Sequence, residues 1–304
     1  MKVHEGVPES PVGEVSLAIG SFDGVHRGHQ DVIRRLRSGP GSAAVVTFEP
    51  HPRCVLDPPN CPKSLTVQPE KLALLSRHGV DHAVTLNFTP AIAQLAPADF
   101  LAMLAAGMTV RRIVCGADFA FGHGRQGNLA WLREHGPRLG FDVEVAEPVR
   151  VEGTELHSSD IRRLLAEAGD LPAANLRLGS DFTLWGTVEH GAQVGRAIGF
   201  PTANLALPLN KLIPRPGIYA ARFETQGKTY AGALSIGFRP TFGGDRLGIE
   251  VYVIDFSGDL YGEHVAVAPV LRLRDEVRYE SAAELAAQIA RDVAETRRIL
   301  GREQ

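Results

Sequence analysis

Short apolar runs alternate with patterns of helical period through the first half of the chain. Buried strands are predicted at residues 15–19, 43–48, 84–86, 113–115 and 143–145. Helices are predicted, from apolar positions at helical spacing, around residues 32–36, 70–75, 100–104 and 129–134. Strands that alternate with helices indicate parallel pairing, because parallel neighbours need a crossover connection. The first half is therefore predicted to be an α/β domain.

The pattern changes at about residue 181. Strand-like runs, separated by turns that contain Gly or Pro, follow at residues 182–189, 217–225, 228–236, 249–256 and 263–270. Closely spaced strands with few helices favour a small closed β structure, because closure removes exposed strand edges. An amphipathic helix is predicted at residues 281–300, where Ser281 and Glu284 form a capping-box pattern.

The length of the chain also favours two domains, since 304 residues is about twice the typical ~150 per domain. We expect one domain over residues 1–180 and another over 181–304, with residues 161–179 mostly helical between the two strand-bearing parts.

The charge balance gives no reason to propose a nucleic-acid or membrane partner. The chain has 32 basic and 35 acidic residues, for a net charge of −3. Nothing in that balance favours a nucleic-acid partner or attraction to an anionic membrane. We expect small-molecule partners, and the sequence leaves a weak homo-oligomer open.

Three cysteines, Cys54, Cys61 and Cys115, are too few for a disulfide framework. A zinc site at His51, Cys54 and Cys61 is disfavoured, because this Pro-rich segment lacks paired ligand spacing. The N-terminus lacks the apolar core of a signal peptide, and no apolar run approaches the ~20 residues that cross a bilayer. We expect a cytoplasmic protein.

A first candidate phosphate site lies at residues 20–29, Gly-Ser-Phe-Asp-Gly-Val-His-Arg-Gly-His. The segment follows the first predicted strand and opens the first predicted helix, where α/β sheets bind phosphate. His26 and His29, at i and i+3, are spaced to donate hydrogen bonds to one ligand. The alternative is a Gly-rich turn whose histidines only cap and pack.

A second cluster, His157-Ser158-Ser159-Asp160-Ile161-Arg162, places hydroxyls and an Arg at the start of a helix. Alone it is weak, since Ser at a helix start is ordinarily a cap. Together the two clusters resemble the nucleotidyltransferase superfamily, which has a His-x-Gly-His motif and a downstream Ser/Thr-rich segment ending in Ile-Arg.

Residues 47–53, 65–71 and 116–122 narrow the resemblance to the FAD synthetase (FMN adenylyltransferase) domain of bacterial bifunctional riboflavin kinase/FAD synthetases. The resemblance implies a Rossmann-like nucleotidyltransferase domain, with catalytic roles for His26 and His29. It implies ATP contacts from Gly20, Phe22, His26, Gly28, His29, Asp118, Ser158, Ser159 and Arg162. Flavin contacts are assigned to Phe48, Phe119, Phe121 and Arg274, although packing explains the three aromatic residues equally well.

A second candidate phosphate site follows at residues 195–204, Gly-Arg-Ala-Ile-Gly-Phe-Pro-Thr-Ala-Asn. We expect its Pro-Thr-Ala-Asn part to form a loop, in which Thr202 and Asn204 offer hard oxygen ligands that suit Mg²⁺. Glu250, in a strand-like run, is a candidate general base, but from position alone a solvated strand residue is the better interpretation.

This segment and those around it resemble the riboflavin kinase domain, so the likeness covers residues 14–300. The resemblance implies a six-stranded antiparallel β-barrel with a terminal helix. It implies that Thr202 and Asn204 hold ATP and Mg²⁺, and that Glu250 activates the ribityl 5′-hydroxyl. The ATP contacts of this domain are assigned to Gly195, Arg196, Gly199, Thr202 and Asn204.

The expected protein phosphorylates riboflavin to FMN and then adenylylates FMN to FAD with release of pyrophosphate. Its small-molecule partners are ATP, riboflavin, FMN and FAD; its cofactor is Mg²⁺ with ATP, without a tightly bound prosthetic group. His157 and Asp160 depart from the family pattern, and an acidic residue beside ATP phosphates repels them unless it faces away. A kinase with a degenerate first domain and a non-enzymatic flavin carrier stand as alternatives.

Overall fold

A computed structural model describes residues 1–191, 195, 198–241 and 244–301 of the chain. The chain forms two compact units, Met1–Ser158 and Ser159–Gln304.

The first unit has an α/β architecture. Its strands are β1 (Lys2–Glu5), β2 (Glu14–Ile19), β3 (Ser42–Glu49), β4 (His82–Asn87), β5 (Thr109–Gly116), β6 (Ala120–Phe121), β7 (Gly127–Asn128), β8 (Asp142–Ala146), β9 (Arg150–Val151) and β10 (Thr154–Glu155). Its helices are α1 (Arg27–Arg37), α2 (Pro52–Leu56), α3 (Gln68–Arg77), α4 (Pro90–Ala93), α5 (Pro97–Ala105) and α6 (Leu129–Leu139), and α7 (Ser158–Arg163) begins at its last residue. Short 3₁₀ turns span Asp23–Val25, Pro58–Asn60 and His123–Arg125.

A parallel sheet with the strand order β1-β4-β3-β2-β5-β8 forms the centre of this unit. Alternate residues of its strands pack on opposite faces: Leu17 and Val46 contribute to one core, Ala18 and Val45 to the other. Both faces are covered, which explains why these strands are nearly continuous apolar runs in the sequence. The prediction of parallel strands alternating with helices is confirmed.

The order of the strands also locates a binding crevice. From β2 the chain moves outward on one side to β3 and β4, and then returns to the other side of β2 with β5. In open parallel sheets, ligands bind outside the carboxyl ends of the strands where the strand order reverses. The segments that follow β2 and β5, at residues 20–26 and 117–125, come together at this crevice.

Strand β1 was not predicted. It is a polar edge strand whose Lys2 and His4 pair with His82 and Val84 of β4. Its short sequence carries no apolar run, so its pairing depends on the neighbouring strand.

The second unit is a closed barrel followed by a helix. After a π-helical turn (Leu164–Ala168) come α8 (Leu171–Leu178), β11 (Leu184–Glu189), β12 (Thr202–Ala206), β13 (Gly217–Thr225), β14 (Lys228–Thr241), β15 (Gly244–Val253), β16 (His264–Arg274) and α9 (Ala282–Leu300). Within the described residues, six strands close in the order β11-β12-β15-β14-β13-β16, with antiparallel pairing throughout. The predicted six-stranded barrel and terminal helix are confirmed.

Strand β12 corrects one expectation. Residues 202–204 were predicted to lie in a loop, but they begin a strand that pairs with β11 and β15. Its Gly- and Pro-rich approach concealed it, and the pairing partners that fix it are distant in the sequence.

Helix α9 begins as its capping pattern predicts. The Ser281 hydroxyl accepts a hydrogen bond from the backbone N–H of Glu284 at 3.2 Å. The Glu284 carboxylate accepts one from the N–H of Glu280 at 3.3 Å. Of the described helices, none is long and apolar enough to cross a membrane.

Cys54, in α2, and Cys61, at the end of the 3₁₀ turn Pro58–Asn60, form a disulfide. The cysteine count did not predict this bridge. Cys115 is free and buried at the end of β5, and burial raises the pKa of its thiol to about 11.

Candidate active sites

The turn after β2 is held in a strained shape by a buried carboxylate. Phe22 (φ 48°) and Val25 (φ 40°) are both in the left-handed region, which costs non-glycine residues roughly 1–3 kcal/mol each. The Asp23 carboxylate accepts hydrogen bonds from the backbone N–H groups of Leu65 and Thr66, at 3.0 and 2.9 Å. The Thr66 hydroxyl in turn accepts one from Gly24 N–H at 2.9 Å. The segment before α3 thereby fixes the turn.

This turn brings His26 and His29 face to face at the start of α1. Their ring centroids lie 3.7 Å apart with an interplanar angle of 16°. His26 Nδ1 accepts the backbone N–H of His29 at 3.4 Å, which leaves Nε2 to carry the proton of the neutral ring. A Cβ at Gly28 would lie 3.1 Å from His26 Cε1, so the missing side chain makes room for the ring. The two histidines converge as the sequence predicts.

Burial, the neighbouring His26 and the ammonium of Lys71 together hold the pKa of His29 well below its ordinary value. His29 Nδ1 is buried without a hydrogen-bond partner among the described residues. His29 is therefore neutral near pH 7 before a ligand binds, and an approaching phosphate raises its pKa by attraction.

Lys71 is a buried residue that the sequence analysis did not single out. Its Nζ donates to Thr47 Oγ1 at 3.1 Å and to the carbonyl oxygens of Ser21 and Phe48, both at 3.4 Å. Burial lowers its pKa, and the nearby carboxylates of Glu49 and Asp23 oppose that effect. Lys71 thus joins the carboxyl ends of β2 and β3 beneath the site.

A cavity of about 660 Å³ opens beside the two histidines. Seven predicted ATP contacts line it: Gly20, Phe22, His26, Gly28, His29, Asp118 and Ser158. The cavity is also lined by Glu147, Glu155 and His157, of which only His157 belongs to a motif recognised in the sequence. The structure therefore gathers most of the predicted nucleotide contacts around one opening.

The segment that departs from the family pattern starts α7. The Ser158 hydroxyl donates to the carbonyl of Asp23 at 3.3 Å, which ties the segment to the first turn. Asp160 pairs with Arg163 at 3.3 Å, so a neighbouring cation offsets its charge. Ser159 and Arg162 continue the helix in the second compact unit, and their ATP contacts remain predictions.

A second cavity of the first unit, about 580 Å³, has aromatic walls. Phe48, Phe119 and Phe121, the predicted flavin contacts of this unit, line it together with Phe88 and Phe100. Phe48 meets Phe88 edge-on at 5.3 Å, and Phe119 stacks on Phe121 at 5.6 Å. Such walls suit a flat, largely apolar ring system. Phe121 also belongs to the core, so packing and lining are compatible roles for it.

The barrel gathers its candidate residues on one face of two neighbouring strands. The Thr202 hydroxyl donates to Glu250 Oε2 at 2.7 Å, and Asn204 lies directly opposite Glu250 in the strand register. The intervening Ala203 and Val251 are buried. Because side chains alternate along a strand, the polar group lies on the outer face of the barrel.

Two cavities meet at Thr202. One, of about 270 Å³, is lined by Glu250, Tyr252 and Arg274, and by α9 residues such as Leu285. The other, of about 500 Å³, is lined by residues of β11, β12 and β15 and of the segment 256–261. The arrangement admits two ligands on either side of one hydroxyl.

The Gly-rich segment before β12 is described only in part. Gly195 accepts from the N–H of Phe200 at 2.8 Å, and a Cβ there would collide with the Phe200 carbonyl oxygen at 2.3 Å. Gly199 adopts a left-handed φ of 84°. Arg196, a predicted ATP contact, lies outside the described residues.

Arg274 lines the smaller barrel cavity, but its guanidinium binds another residue. It forms a bidentate pair with the buried Asp292 of α9, through Nε at 3.0 Å and Nη2 at 2.7 Å. This pair raises the pKa of Arg274. The observed partner is thus a carboxylate of the protein, and the flavin contact of Arg274 remains a prediction.

Comparison with known proteins covers both units. A family model described as FAD synthetase matches residues 9–160, and one described as riboflavin kinase matches residues 178–300. Proteins named bifunctional riboflavin kinase/FMN adenylyltransferase are similar throughout. The Escherichia coli K12 protein is 36% identical over 99% of this chain and 98% of its own. Those of Listeria monocytogenes and Pseudomonas fluorescens are 36% and 37% identical, each over 92% of this chain and 91% of theirs.

A solved structure from Streptococcus pneumoniae, titled a macrolide-efflux protein, has a TM-score of 0.87 to this chain. It is 30% identical over 97% of this chain and 98% of that one. The name macrolide-efflux protein describes that protein. For this chain, the similarity shows a shared fold.

Proposed function

The chain belongs to the bifunctional riboflavin kinase/FMN adenylyltransferase family, and on that premise we propose which of its residues carry each reaction. It is a transferase that phosphorylates riboflavin to FMN with ATP and then adenylylates FMN to FAD with release of pyrophosphate. Enzymes of both kinds use ATP with a divalent metal ion.

For the kinase reaction, we assign the base to Glu250. The riboflavin 5′-hydroxyl attacks the γ-phosphorus of ATP, the bond to the β,γ-bridging oxygen breaks, and ADP leaves. Glu250 accepts the hydroxyl proton, with its carboxylate oriented by the 2.7 Å hydrogen bond from Thr202. The smaller barrel cavity, which contains Glu250, takes the flavin; the larger one takes ATP, whose phosphates reach Thr202 from the other side.

Mg²⁺ is the metal ion that we propose for this site. The hydroxyl of Thr202 and the amide oxygen of Asn204 are hard oxygen donors on one face of β12, which fit Mg²⁺ with bound phosphate and water, while Glu250 beside them acts as the base. When bound, Mg²⁺ neutralises charge on the β- and γ-phosphates. Thr202 and Asn204 position the phosphates, and with Gly195, Arg196 and Gly199 they form the proposed ATP site of the kinase.

For the adenylyl transfer, the stacked pair of His26 and His29 carries the proposal. An oxygen of the FMN phosphate attacks the α-phosphorus of ATP, and the bond to the α,β-bridging oxygen breaks to release pyrophosphate. The nucleophile is already anionic near neutral pH, so no base is required. His26 and His29 stabilise the charge that develops on the α-phosphate and the leaving group. Ser158, Ser159, Arg162 and Asp118 hold the nucleotide, and the aromatic cavity holds the isoalloxazine ring.

The proposals for domain bounds, location and partners also rest on membership of this family. We propose an adenylyltransferase domain over residues 1–180 and a kinase domain over 181–304. We also propose a cytoplasmic enzyme with no tightly bound prosthetic group and no nucleic-acid or membrane partner. The net charge of −3 supports the last point.

The test is to incubate the purified protein with riboflavin and MgATP and to separate FMN and FAD by chromatography. We expect FMN first and FAD after a lag. FMN as the sole product would overturn the role of His26 and His29, and the absence of both products would overturn the whole assignment.

A further inference from the structure

Arg125 stands at the boundary between the two cavities of the first unit. Six residues line both the nucleotide cavity and the aromatic cavity: Ile19, Gly20, Ser21, Phe119, Ala120 and Arg125. Arg125 has the only permanently charged side chain of these six described residues. It therefore lies where a group attached to a flavin meets the phosphates of a nucleotide.

The charges of the residues lining the two cavities favour a role for the cation at this boundary. Among the described residues that line either cavity, Arg125 is the sole Arg or Lys, whereas Asp118, Glu147 and Glu155 place carboxylates around the nucleotide cavity. A phosphate monoester such as FMN carries a charge of about −1.5 to −2 near pH 7. Of the described residues lining these cavities, Arg125 has the permanent positive charge that could pair with such a phosphate.

The guanidinium of Arg125 is available for such a ligand. Arg125 is exposed, and within the described part of the chain it makes no ion pair. Its Nη2 donates to the carbonyl of Asp118 at 3.2 Å. A guanidinium has five N–H donors in a planar fork that matches two phosphate oxygens. The bond to Asp118 therefore orients the guanidinium and leaves further N–H donors for a ligand.

The backbone holds Arg125 in an unusual conformation. Arg125 has a φ of 59°, in the left-handed region that side-chain-bearing residues rarely adopt. Its N–H bonds the Gly122 carbonyl at 3.1 Å, and the adjacent His123 N–H bonds the Leu95 carbonyl at 2.8 Å. The β6–β7 hairpin that carries the turn is anchored by Phe121 in the core. Left-handed residues that the surroundings fix in this way cluster at ligand sites.

We propose that Arg125 binds the phosphate of FMN and makes the adenylylation site select FMN over flavins that lack a phosphate. The proposal rests on the proposed function of the two cavities and adds a specificity-determining residue to it. The aromatic walls contact the ring system that all flavins share, so selection of the phosphorylated flavin needs a group at the end of the ribityl chain.

The experiment compares two flavins in FAD formation by the full-length protein. FMN is the substrate, and lumiflavin is the competitor, since it retains the isoalloxazine ring but has neither a phosphate nor a hydroxyl that the kinase can phosphorylate. We measure the KM for FMN and the inhibition constant of lumiflavin for the wild type, Arg125→Gln and Arg125→Lys. Arg138→Gln, which removes an exposed charge from α6 outside both cavities, is the matched control.

For Arg125→Gln we expect the KM for FMN to rise roughly 10- to 100-fold, the effect of losing a charged hydrogen-bond partner. The inhibition constant of lumiflavin stays unchanged, Arg125→Lys recovers part of the loss, and Arg138→Gln behaves as the wild type. An unchanged KM would overturn the proposal, as would an equal rise in both constants, which would mean that Arg125 only shapes the cavity. Failure of lumiflavin to compete in the wild type would instead overturn the assignment of the aromatic cavity, and the proposal with it.

Discussion

At the scale of single residues, the two candidate sites differ in how their side chains are held. The stacked histidines of the first unit depend on the turn fixed by Asp23, and the Glu250 carboxylate is oriented by the Thr202 hydroxyl and by the strand register. The motifs and the family resemblance predicted roles for His26, His29, Thr202 and Glu250, and these roles stay predictions. Lys71 was not predicted, because a lysine on a helix is ordinarily exposed and nothing local shows that it is buried.

Substitution His29→Ala should slow FAD formation from FMN by roughly 10²- to 10³-fold, as expected when a donor to developing charge is lost. The rate of riboflavin phosphorylation should not change, since we assign that reaction to residues of the barrel. Both rates are measured separately, with FMN or riboflavin supplied. A normal rate of FAD formation would refute the role of His29.

Substitution Glu250→Gln should reduce riboflavin phosphorylation by roughly 10²- to 10⁴-fold, because a positioned base is lost while the shape of the site is kept. FAD formation from supplied FMN should be unaffected. Glu224→Gln, at an exposed position of β13, is the matched control and should leave both rates intact. Loss of both activities in the Glu250 variant would contradict the division of labour.

The charge of Lys71 leads to a prediction about pH. Besides burial, the neighbouring His26 and the ammonium of Lys71 lower the pKa of His29, while Lys71 itself faces Glu49 and Asp23. Lys71→Met should therefore raise the pKa of His29, which NMR titration of the ring measures, with His29→Gln to assign the signal. An unchanged titration would show that Lys71 does not affect the pKa of His29.

The lowered pKa of His29 makes the protein less stable as the pH falls. Below the ordinary His pKa of about 6.5, the unfolded chain binds a proton that folded His29 does not, so the free energy of unfolding falls as the pH falls. Burial also lowers the pKa values of His78 and His82, which act in the same direction. In Lys71→Met, the part of the decline in the free energy of unfolding that His29 contributes should be weaker. Denaturant unfolding between pH 7.5 and 5.5, roughly one unit either side of the His pKa, measures this. A steeper decline than in the wild type would contradict the prediction.

At the scale of elements, apolar patterning made most strands predictable, whereas β1 and β12 were missed. Strands β2 to β5 contain apolar runs, β8 alternates acidic and apolar residues, and each of these strands overlaps its predicted position. Strands β1 and β12 have few apolar residues, and their pairing with β4, β11 and β15 determines them. Intrinsic strand preference is weak beside such context.

Helix α9 is joined to the barrel by the pair of Arg274 and Asp292. The Asp292 side chain is 7% exposed, so Asp292→Ala leaves a largely buried guanidinium without its carboxylate. We expect a loss of about 3–5 kcal/mol in the free energy of unfolding. The KM for riboflavin should also rise, since α9 residues line the cavity of Glu250. Arg274→Met with Asp292→Leu should recover much of the stability; a double variant less stable than Asp292→Ala would contradict this account.

At the scale of the whole molecule, the residues that we propose for catalysis in the two reactions belong to different compact units. His26 and His29 belong to Met1–Ser158, and Thr202 and Glu250 to Ser159–Gln304. A mixture of His29→Ala and Glu250→Gln chains should therefore make FAD from riboflavin, because one chain supplies the FMN that the other adenylylates. Chromatography of the mixture checks this. If each variant kept its remaining activity but the mixture made no FAD, FMN would have to pass between the sites of one chain without release.

The register of β12 against β15 has a consequence for insertions and deletions. Thr202 lies opposite Tyr252 and Asn204 opposite Glu250, so the three polar groups share a face only because their spacings are even. Adding or removing one residue within β15 would turn Glu250 toward the barrel interior, and the same change within β12 would turn Thr202 or Asn204 inward. Homologous barrels can therefore change the length of these two strands only by two residues at a time, or at the strand ends, if they are to keep kinase activity.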